Sequence, residues 1–224
     1  MNRREFLTSI ALILLSGYTL QNVCKEELKK VDKRKIYESA SRIYEISTKG
    51  KVESMGRVID AKMSGVGIVY NQKFLTVAHV VNLKNRINNP LKYPLHVSSE
   101  SYVNENKLEK ELIDFEKDVA IFKIPENLKL NNFSEKTDLN IFYGKEVYLI
   151  GNPSGFGTNI RKGEICDLDG YLKEDEGYFG INCPTIPGDS GSPVVNKYGE
   201  LMGITAKSLY STMGYIKKIE EFIK

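Results

Sequence analysis

The chain has 224 residues, of which 41% are hydrophobic and 27% charged, and its formal net charge is +3. These are ordinary globular values, so they exclude a disordered or collagen-like chain, and the length allows one large domain or two small ones. The positive excess is spread along the sequence, which gives no reason to expect a nucleic-acid partner. Three cysteines exclude a dense disulfide framework, and the only histidines are His79 and His96.

The N-terminal segment has the pattern of an export signal. Arg3 and Arg4 precede 19 uncharged residues, Phe6 to Cys24, and a charged start followed by a short apolar stretch is typical of secretory signals. Paired arginines followed by Phe-Leu resemble a twin-arginine signal, a receptor-read address for export of folded proteins. No cleavage site stands out, and the stretch is just long enough to cross a bilayer. We therefore predict an export signal or a membrane anchor over residues 1–24, and an extracytoplasmic location.

The rest of the chain reads as a charged tether followed by many short strands. Residues 25–41 are highly charged and predict a helical or flexible tether. Beyond them, short apolar or alternating runs separated by Gly, Asn, Pro and Asp predict an all-β barrel or sandwich. Residues 213–224 carry apolar residues at helical spacing, which predicts one closing amphipathic helix. The predicted strands cover residues 42–47, 65–70, 74–81, 119–124, 146–150, 178–182, 193–195 and 200–205.

The segment richest in chemical information is Pro187-Gly188-Asp189-Ser190-Gly191-Ser192-Pro193. A serine hydroxyl becomes a useful nucleophile when a base takes its proton, and the carbonyl it attacks needs donors as it turns negative. Glycines around Ser190 allow a tight turn in which the amides of Gly188 and Ser190 converge as an oxyanion hole. The motif alone is equally consistent with a surface turn. Whether it is catalytic therefore depends on whether other segments supply a base and an acid.

Two further segments supply a base and an acid. His79 ends the apolar run 74–81, and the near-neutral pKa of an imidazole suits proton transfer to and from serine. Asp118 heads an apolar run, and its carboxylate can fix the tautomer of a histidine; Asp114 is the alternative acid. Each residue also has a purely structural interpretation, as a hydrogen-bonded core histidine or a turn aspartate. His96 lacks comparable surroundings and is predicted to be structural or exposed.

In the chain order His79, Asp118, Ser190, these segments resemble the trypsin-like (chymotrypsin-fold) serine peptidases, and most closely the prokaryotic HtrA/Deg-type proteases. The resemblance covers about residues 42–209. Other stretches match as well: the Gly-rich run 64–68, the Ile-Gly-Asn-Pro segment within 149–155, and residues 163–165, 194–196 and 199–204.

The resemblance implies two six-stranded antiparallel β-barrels within residues 42–224, with a boundary near 125–140 and the C-terminal helix added. It also implies a serine endopeptidase acting on peptides or proteins, with no metal or organic cofactor. His79 would act as base and then acid, Asp118 would orient it, and the Gly188 and Ser190 amides would hold the oxyanion. About 15 residues follow Leu209, so we expect no PDZ domain there, and membrane contact only through an uncleaved N-terminal segment.

Asp189 departs from the HtrA pattern, which usually has asparagine at this position. In trypsin-like zymogens the aspartate pairs with a newly freed N-terminus, but no activation site is obvious in this chain, so the partner of Asp189 stays open. Cys166 and Cys183 either form a disulfide, if their strands are neighbours, or are two separate buried thiols.

The resemblance also predicts the primary substrate pocket. No acid stands where trypsin-like enzymes hold one for basic side chains, and Thr205 stands where glutamyl endopeptidases carry a histidine. Small or aliphatic side chains are therefore the predicted preference. The predicted lining is Asn182, Cys183, Thr185, Ile186, Thr205, Ala206 and Lys207.

Two rival functions remain open. An esterase could use the same three residues, but the chain lacks the Gly-x-Ser-x-Gly elbow and the Ser–Asp–His order of that fold. A non-catalytic pseudoprotease-like module could bind a peptide edge-on in its cleft. The presence of all three candidate residues argues against the second alternative.

Overall fold

The computed structural model describes residues 32–54, 57–83, 96–133, 137–168, 177–209 and 212–222. The export signal or anchor predicted for residues 1–24 lies outside these ranges, as does the tether up to residue 31. Within the described ranges, no helix is both long and apolar enough to cross a membrane.

Two antiparallel sheets form the body of the protein. The first is built around a long hairpin, whose two strands pair in register from Ile43 opposite Ile68 to Ser54 opposite Arg57. Its seven strands follow the spatial order β5-β4-β1-β2-β3-β7-β6. Their bounds are β1 (Ile43–Ser54), β2 (Arg57–Tyr70), β3 (Lys73–Thr76), β4 (His96–Val103), β5 (Asn106–Lys107), β6 (Glu109–Asp114) and β7 (Val119–Lys123).

The second sheet is a closed barrel of six strands in the order β10-β13-β12-β11-β8-β9. Apolar side chains on the inner face of each strand fill it, which is what a period-two pattern achieves when one face of a strand is buried. Its strands are β8 (Glu146–Gly151), β9 (Asn159–Asp167), β10 (Tyr178–Ile181), β11 (Pro193–Asn196), β12 (Leu201–Leu209) and β13 (Met213–Lys218). Its core contains Val147, Leu149, Ile165, Phe179, Ile181, Cys183, Val194, Met202 and Ile216.

The predicted fold class is confirmed, with two corrections. The first sheet has seven strands where six were expected. The C-terminal helix predicted for residues 213–224 was wrong: Met213–Lys218 is strand β13, and Ile219–Phe222 is one turn of 3-10 helix. Pairing with both β10 and β12 closes the barrel, and this gain in backbone hydrogen bonds and burial outweighs a local helical pattern.

The two sheets share a hydrophobic core at their junction. Ile68 and Phe122 of the first sheet belong to the same buried cluster as Val195 and Ile204 of the second. The connection after β7 is attached to both sheets, because Phe133 N donates to Val69 O at 2.9 Å and Asp138 N donates to Leu201 O at 3.0 Å. The junction is therefore a fixed place at which residues from both sheets can meet.

Helix α1 (Lys33–Ala40) precedes the first strand and packs on the second sheet. Asp32 caps it by accepting a hydrogen bond from Lys35 N, as short acidic side chains do at helix starts. The backbone N–H of Asp32 donates to Lys197 O at 3.0 Å, and Ile36 is buried. This part of the charged segment is thus helical and attached to the folded body.

Candidate active site

His79 lies in a 3-10 turn at the end of β3. The apolar run 74–81 was predicted as one strand, but the strand ends at Thr76 and residues Ala78–Val81 form the turn. The neighbours Ala78 and Val80 are buried in the core. The turn is therefore anchored on both sides of His79, while the imidazole itself stays partly accessible.

Asp118 holds both the backbone and the ring of His79. Its Oδ1 accepts from His79 N at 2.9 Å, and its Oδ2 lies 2.9 Å from His79 Nδ1. The aspartate φ is 54°, a left-handed conformation that aspartate tolerates better than most residues and that often accompanies functional sites. The alternative acid, Asp114, instead accepts from Lys117 N within its own turn.

Ser190 completes the arrangement from the second sheet. Its Oγ lies 2.8 Å from His79 Nε2. A carboxylate can only accept, so the proton on the ring sits at Nδ1, and Nε2 is then the acceptor for the serine hydroxyl. The structure thus brings together the three side chains that the sequence singled out, each within hydrogen-bond distance of the next.

Glycines allow strand β2 to approach the serine loop closely. Val66 N donates to Ser190 O at 2.8 Å, and a Cβ at Gly65 would lie 2.9 Å from that same oxygen. Gly191 has φ of +88°, and a Cβ there would lie 1.7 Å from Val66 O. These two glycines set the distance between the sheets and hence between Ser190 and His79.

We predict that Gly191→Ala lowers the free energy of unfolding by about 3 kcal/mol or more, because backbone strain and a steric clash add at this position. Gly144 is the matched control: its φ is +74° and it has nothing within 4 Å of an added Cβ. Gly144→Ala should cost only about 1 kcal/mol from strain. Urea unfolding of the two variants measures both values, and equal losses would contradict the claimed close approach.

A tight turn immediately precedes Ser190. Asp189 N donates to Ile186 O at 3.0 Å, which places Pro187 and Gly188 at the two central positions. Gly188 has φ of +100°, and proline followed by a positive-φ glycine is the preference of a type II turn. Among the described residues, no hydrogen bond is recorded from the amides of Gly188 or Ser190. These are the two donors predicted for an oxyanion.

Arg161 is the partner of Asp189 that sequence reasoning left open. Its Nη2 lies 2.5 Å from Asp189 Oδ1, and Asp189 is 1% exposed. The cation facing this buried carboxylate therefore comes from β9, within the chain. One sequence signal could have found it: Arg161 shares an inward-facing side of β9 with Gly163 and Ile165, alternating with exposed residues, and a cation there needs a buried anion.

A cavity of about 380 Å³ opens beside Ser190. Its lining includes five of the predicted pocket residues but not Asn182 or Cys183. Asn182 instead accepts a hydrogen bond from Glu164 N through its side chain, and Cys183 is buried in the barrel core. The lining residues are Thr185, Ile186, Pro187, Asp189, Ser190, Thr205, Ala206, Lys207 and Ser208.

Among the described residues, the cavity lining presents no unpaired acid. Asp189 is the one acidic residue of that described lining, and both of its oxygens are engaged, Oδ1 by Arg161 and Oδ2 by Ile186 N at 2.9 Å. The ammonium group of Lys207 lies 4.4 Å from the ring centroid of Tyr178, a cation–π distance. The cavity therefore lacks the charge that would attract a basic side chain.

Cys166 and Cys183 are free thiols, so the disulfide alternative does not apply. Burial raises the pKa of the Cys183 thiol, with Arg161 lowering it and Asp189 raising it as smaller effects. A thiol with a raised pKa is a poor nucleophile. Among the described residues, no group of three or more His, Cys, Asp or Glu side chains is placed to hold a metal ion.

Comparison with known proteins identifies the family of this chain and several of its relatives. The model of the trypsin-like peptidase domain family matches residues 64–204. A probable periplasmic serine endoprotease DegP-like from Halomonas elongata is 30% identical over 115 residues, which cover 49% of this chain and 24% of that protein. A serine protease HtrA-like from Staphylococcus haemolyticus is 28% identical over 160 residues, 63% of this chain and 24% of that protein. The chain thus spans about a quarter of the length of these curated relatives.

Solved structures share the fold. A serine endoprotease from Yersinia pestis superposes with a TM-score of 0.59 at 19% identity, covering 84% of this chain and 62% of its own. The HtrA-type protease AlgW with decapeptide gives a TM-score of 0.63 at 18% identity, covering 84% of this chain and 63% of its own. At these identities the likeness concerns the fold alone.

The fold and the matched family model define a trypsin-like peptidase domain. The chain belongs to the trypsin-like peptidase family, and the matched region holds His79, Asp118 and Ser190 together. Its curated relatives include DegP-like and HtrA-like proteases, and its structural neighbours include an HtrA-type protease, so the resemblance predicted from the sequence is confirmed.

Proposed function

We propose that this chain is a serine endopeptidase in which Ser190 is the nucleophile, His79 the general base and acid, and Asp118 the residue that orients the imidazole. The observation that carries the proposal is the unbroken series of contacts from Asp118 Oδ2 through the His79 ring to Ser190 Oγ, at 2.9 and 2.8 Å. Such a series is what a serine needs to lose its proton as it attacks a carbonyl carbon.

The reaction follows from the positions of the protons. Ser190 Oγ bonds to the scissile carbonyl carbon while its proton passes to His79 Nε2, and the carbonyl oxygen becomes an anion. The Gly188 and Ser190 amides donate to that anion. The imidazolium then gives its proton to the leaving amine, which departs and leaves an acyl-serine. Water attacks the ester by the same steps in reverse order, and Ser190 recovers its proton.

For the residue before the cleaved bond, we propose a small or aliphatic side chain. The cavity beside Ser190 is the natural place for that side chain, and its walls include the methyl-bearing Ile186 and Ala206. A basic side chain would meet no available carboxylate, because both oxygens of Asp189 are engaged. Burying an unpaired cation is costly, so basic side chains are disfavoured.

We also propose that the enzyme acts outside the cytoplasm. The N-terminal Arg-Arg followed by an apolar stretch supports export, and several curated relatives are described as periplasmic. Replacing Arg3 and Arg4 by lysine tests the twin-arginine route. Cell fractionation should then show the protein retained in the cytoplasm, and an unchanged location would contradict this route.

Incubation with a peptide library tests the activity and the pocket preference together. The wild-type chain should cleave internal bonds after small or aliphatic residues, and Ser190→Ala should cleave none. Ser192→Ala is the matched control, because Ser192 is buried two residues further on and its hydroxyl has no hydrogen-bond partner among the residues that the structure describes. Peptide binding without cleavage by the wild-type chain would instead support the pseudoprotease-like alternative.

A further inference from the structure

Arg161 fastens the segment that leads into Ser190 at both of its ends. Nη1 of the guanidinium donates to Pro184 O at 2.6 Å, and Nη2 donates to Asp189 Oδ1 at 2.5 Å. The other carboxylate oxygen, Oδ2, accepts from Ile186 N at 2.9 Å. The planar guanidinium therefore bridges the first and last residues of segment 184–189. The Asp189 carboxylate adds a second link, to Ile186 inside the segment.

The segment carries two parts of the proposed site. Thr185, Ile186 and Pro187 form one wall of the cavity beside Ser190. Gly188 supplies one of the two amides proposed to hold the oxyanion. A shift of the segment would thus displace a donor that must lie within hydrogen-bond distance of the anion, where position matters most.

The pair of Arg161 and Asp189 is largely shielded from solvent. The side chain of Arg161 is 19% exposed and that of Asp189 is 1% exposed. Gly151 on β8 leaves room for them, since a Cβ there would lie 2.2 Å from Asp189 Oδ1 and 2.5 Å from Arg161 Nη2. A buried carboxylate deprived of its cation is strongly unfavourable, so removing Arg161 forces Asp189 and the attached turn to rearrange.

We propose that Arg161 is a positioning residue for catalysis: it holds residues 184–189 in the conformation that presents the Gly188 amide to the oxyanion. This inference rests on the proposed function. Arginine suits the role because its fork of donors serves two acceptors at once, whereas lysine offers a single point charge. The Gly188 amide acts on an anion that is absent from the bound substrate, so its displacement lowers kcat, whereas displacement of the cavity wall raises KM by a smaller factor. We therefore expect kcat to change far more than KM.

The experiment compares Arg161→Met with Lys162→Met. Lys162 is the next residue of β9, with a side chain 58% exposed and paired with Glu146 at the surface, so its replacement matches the loss of a cation without touching the segment. We expect Arg161→Met to lower kcat about 100-fold, the scale of losing one oxyanion donor, with KM within about threefold of the wild-type value. Lys162→Met should leave both constants unchanged.

Arg161→Lys keeps the positive charge beside Asp189 but cannot bridge both acceptors as a fork. It should recover much of the lost rate, to within about tenfold of wild-type kcat. Circular dichroism and thermal unfolding establish which variants are folded at the assay temperature. If Arg161→Met does not fold, the lysine variant decides: a loss of about tenfold in kcat at unchanged KM supports the proposal, and wild-type kcat overturns it.

A folded Arg161→Met variant with kcat within about threefold of Lys162→Met also overturns the inference, since losing a donor costs far more than that. That result leaves the proposed function intact, because the wild-type chain is active in the same assay. A wild-type chain that hydrolyses no peptide contradicts the proposed function itself, and the two failures are therefore distinguishable.

Discussion

Ser190→Ala, His79→Ala and the double variant should each lose about a million-fold in kcat, with the double no worse than either single change. The reason lies in the 2.8 Å contact between Ser190 Oγ and His79 Nε2. The hydroxyl needs the ring to take its proton, and the ring has no other part in the attack. When two groups act as one unit, removing either removes the whole contribution, so the losses do not add.

Single-turnover kinetics on a chromogenic peptide measure these losses, with enzyme in excess so that trace wild-type contamination is visible as a small burst. KM should change little, because the cavity walls that would hold the substrate side chain, which include Ile186 and Ala206, remain in both variants. A double variant slower than both single variants by another large factor would mean that His79 and Ser190 contribute independently, and the proposed proton transfer between them would be wrong.

Asp118→Asn should lower kcat about ten-thousand-fold while leaving the fold almost unchanged. Asparagine has the same shape as aspartate and tolerates the left-handed φ of 54° at this position. Its amide can still accept from His79 N, but it no longer guarantees that the ring proton sits at Nδ1. The wrong tautomer places a proton on Nε2, which then cannot accept from Ser190.

Asp114→Asn is the matched control for this change. Asp114 accepts from Lys117 N in the turn before Asp118 and does not contact His79. Its replacement should leave kcat within about twofold, as expected of a surface substitution away from the site. Equal losses in the two variants would show that the turn is merely disrupted, and an unimpaired Asp118→Asn would remove Asp118 from the mechanism.

The candidate site was largely predictable because each of its three residues lies in a short local sequence pattern that is typical of a catalytic residue. Ser190 stands between glycines, His79 ends an apolar run, and Asp118 begins another. Because each pattern is short, it identifies the residue even when the predicted strand bounds are wrong by one or two residues. The 3-10 turn at His79, where a strand was predicted, illustrates this: the local structure differed, yet the side chain lies where the mechanism needs it.

What could not be predicted depends on contacts between distant parts of the chain. Arg161 lies 28 positions from Asp189. The alternation along β9 indicates that Arg161 faces inward and needs a buried anion, but it does not indicate which acid of the sequence supplies that anion. The C-terminal residues 213–218 carry a helical pattern but pair with two strands at once. The second neighbouring strand is present only because the barrel closes, and a local stretch of sequence carries no information about that pairing.

The family resemblance predicted Asn182 and Cys183 as pocket residues, and they lie outside the lining of the cavity beside Ser190. They follow directly after β10, where a small change in how a strand ends turns a side chain from the cavity toward the core. Cys183 is accordingly buried in the same core cluster as Val194 and Ile216. Pocket residues are thus less predictable than the reacting groups, because they depend on strand register.

Mapping the covalent adduct of a fluorophosphonate probe by mass spectrometry shows whether Ser190 is the nucleophile, since such probes react with a serine whose hydroxyl is activated. We expect one adduct, on the peptide that contains Ser190, abolished in Ser190→Ala, greatly slowed in His79→Ala and retained in Ser192→Ala. An unmodified folded chain, or an adduct on any other residue, would contradict this expectation.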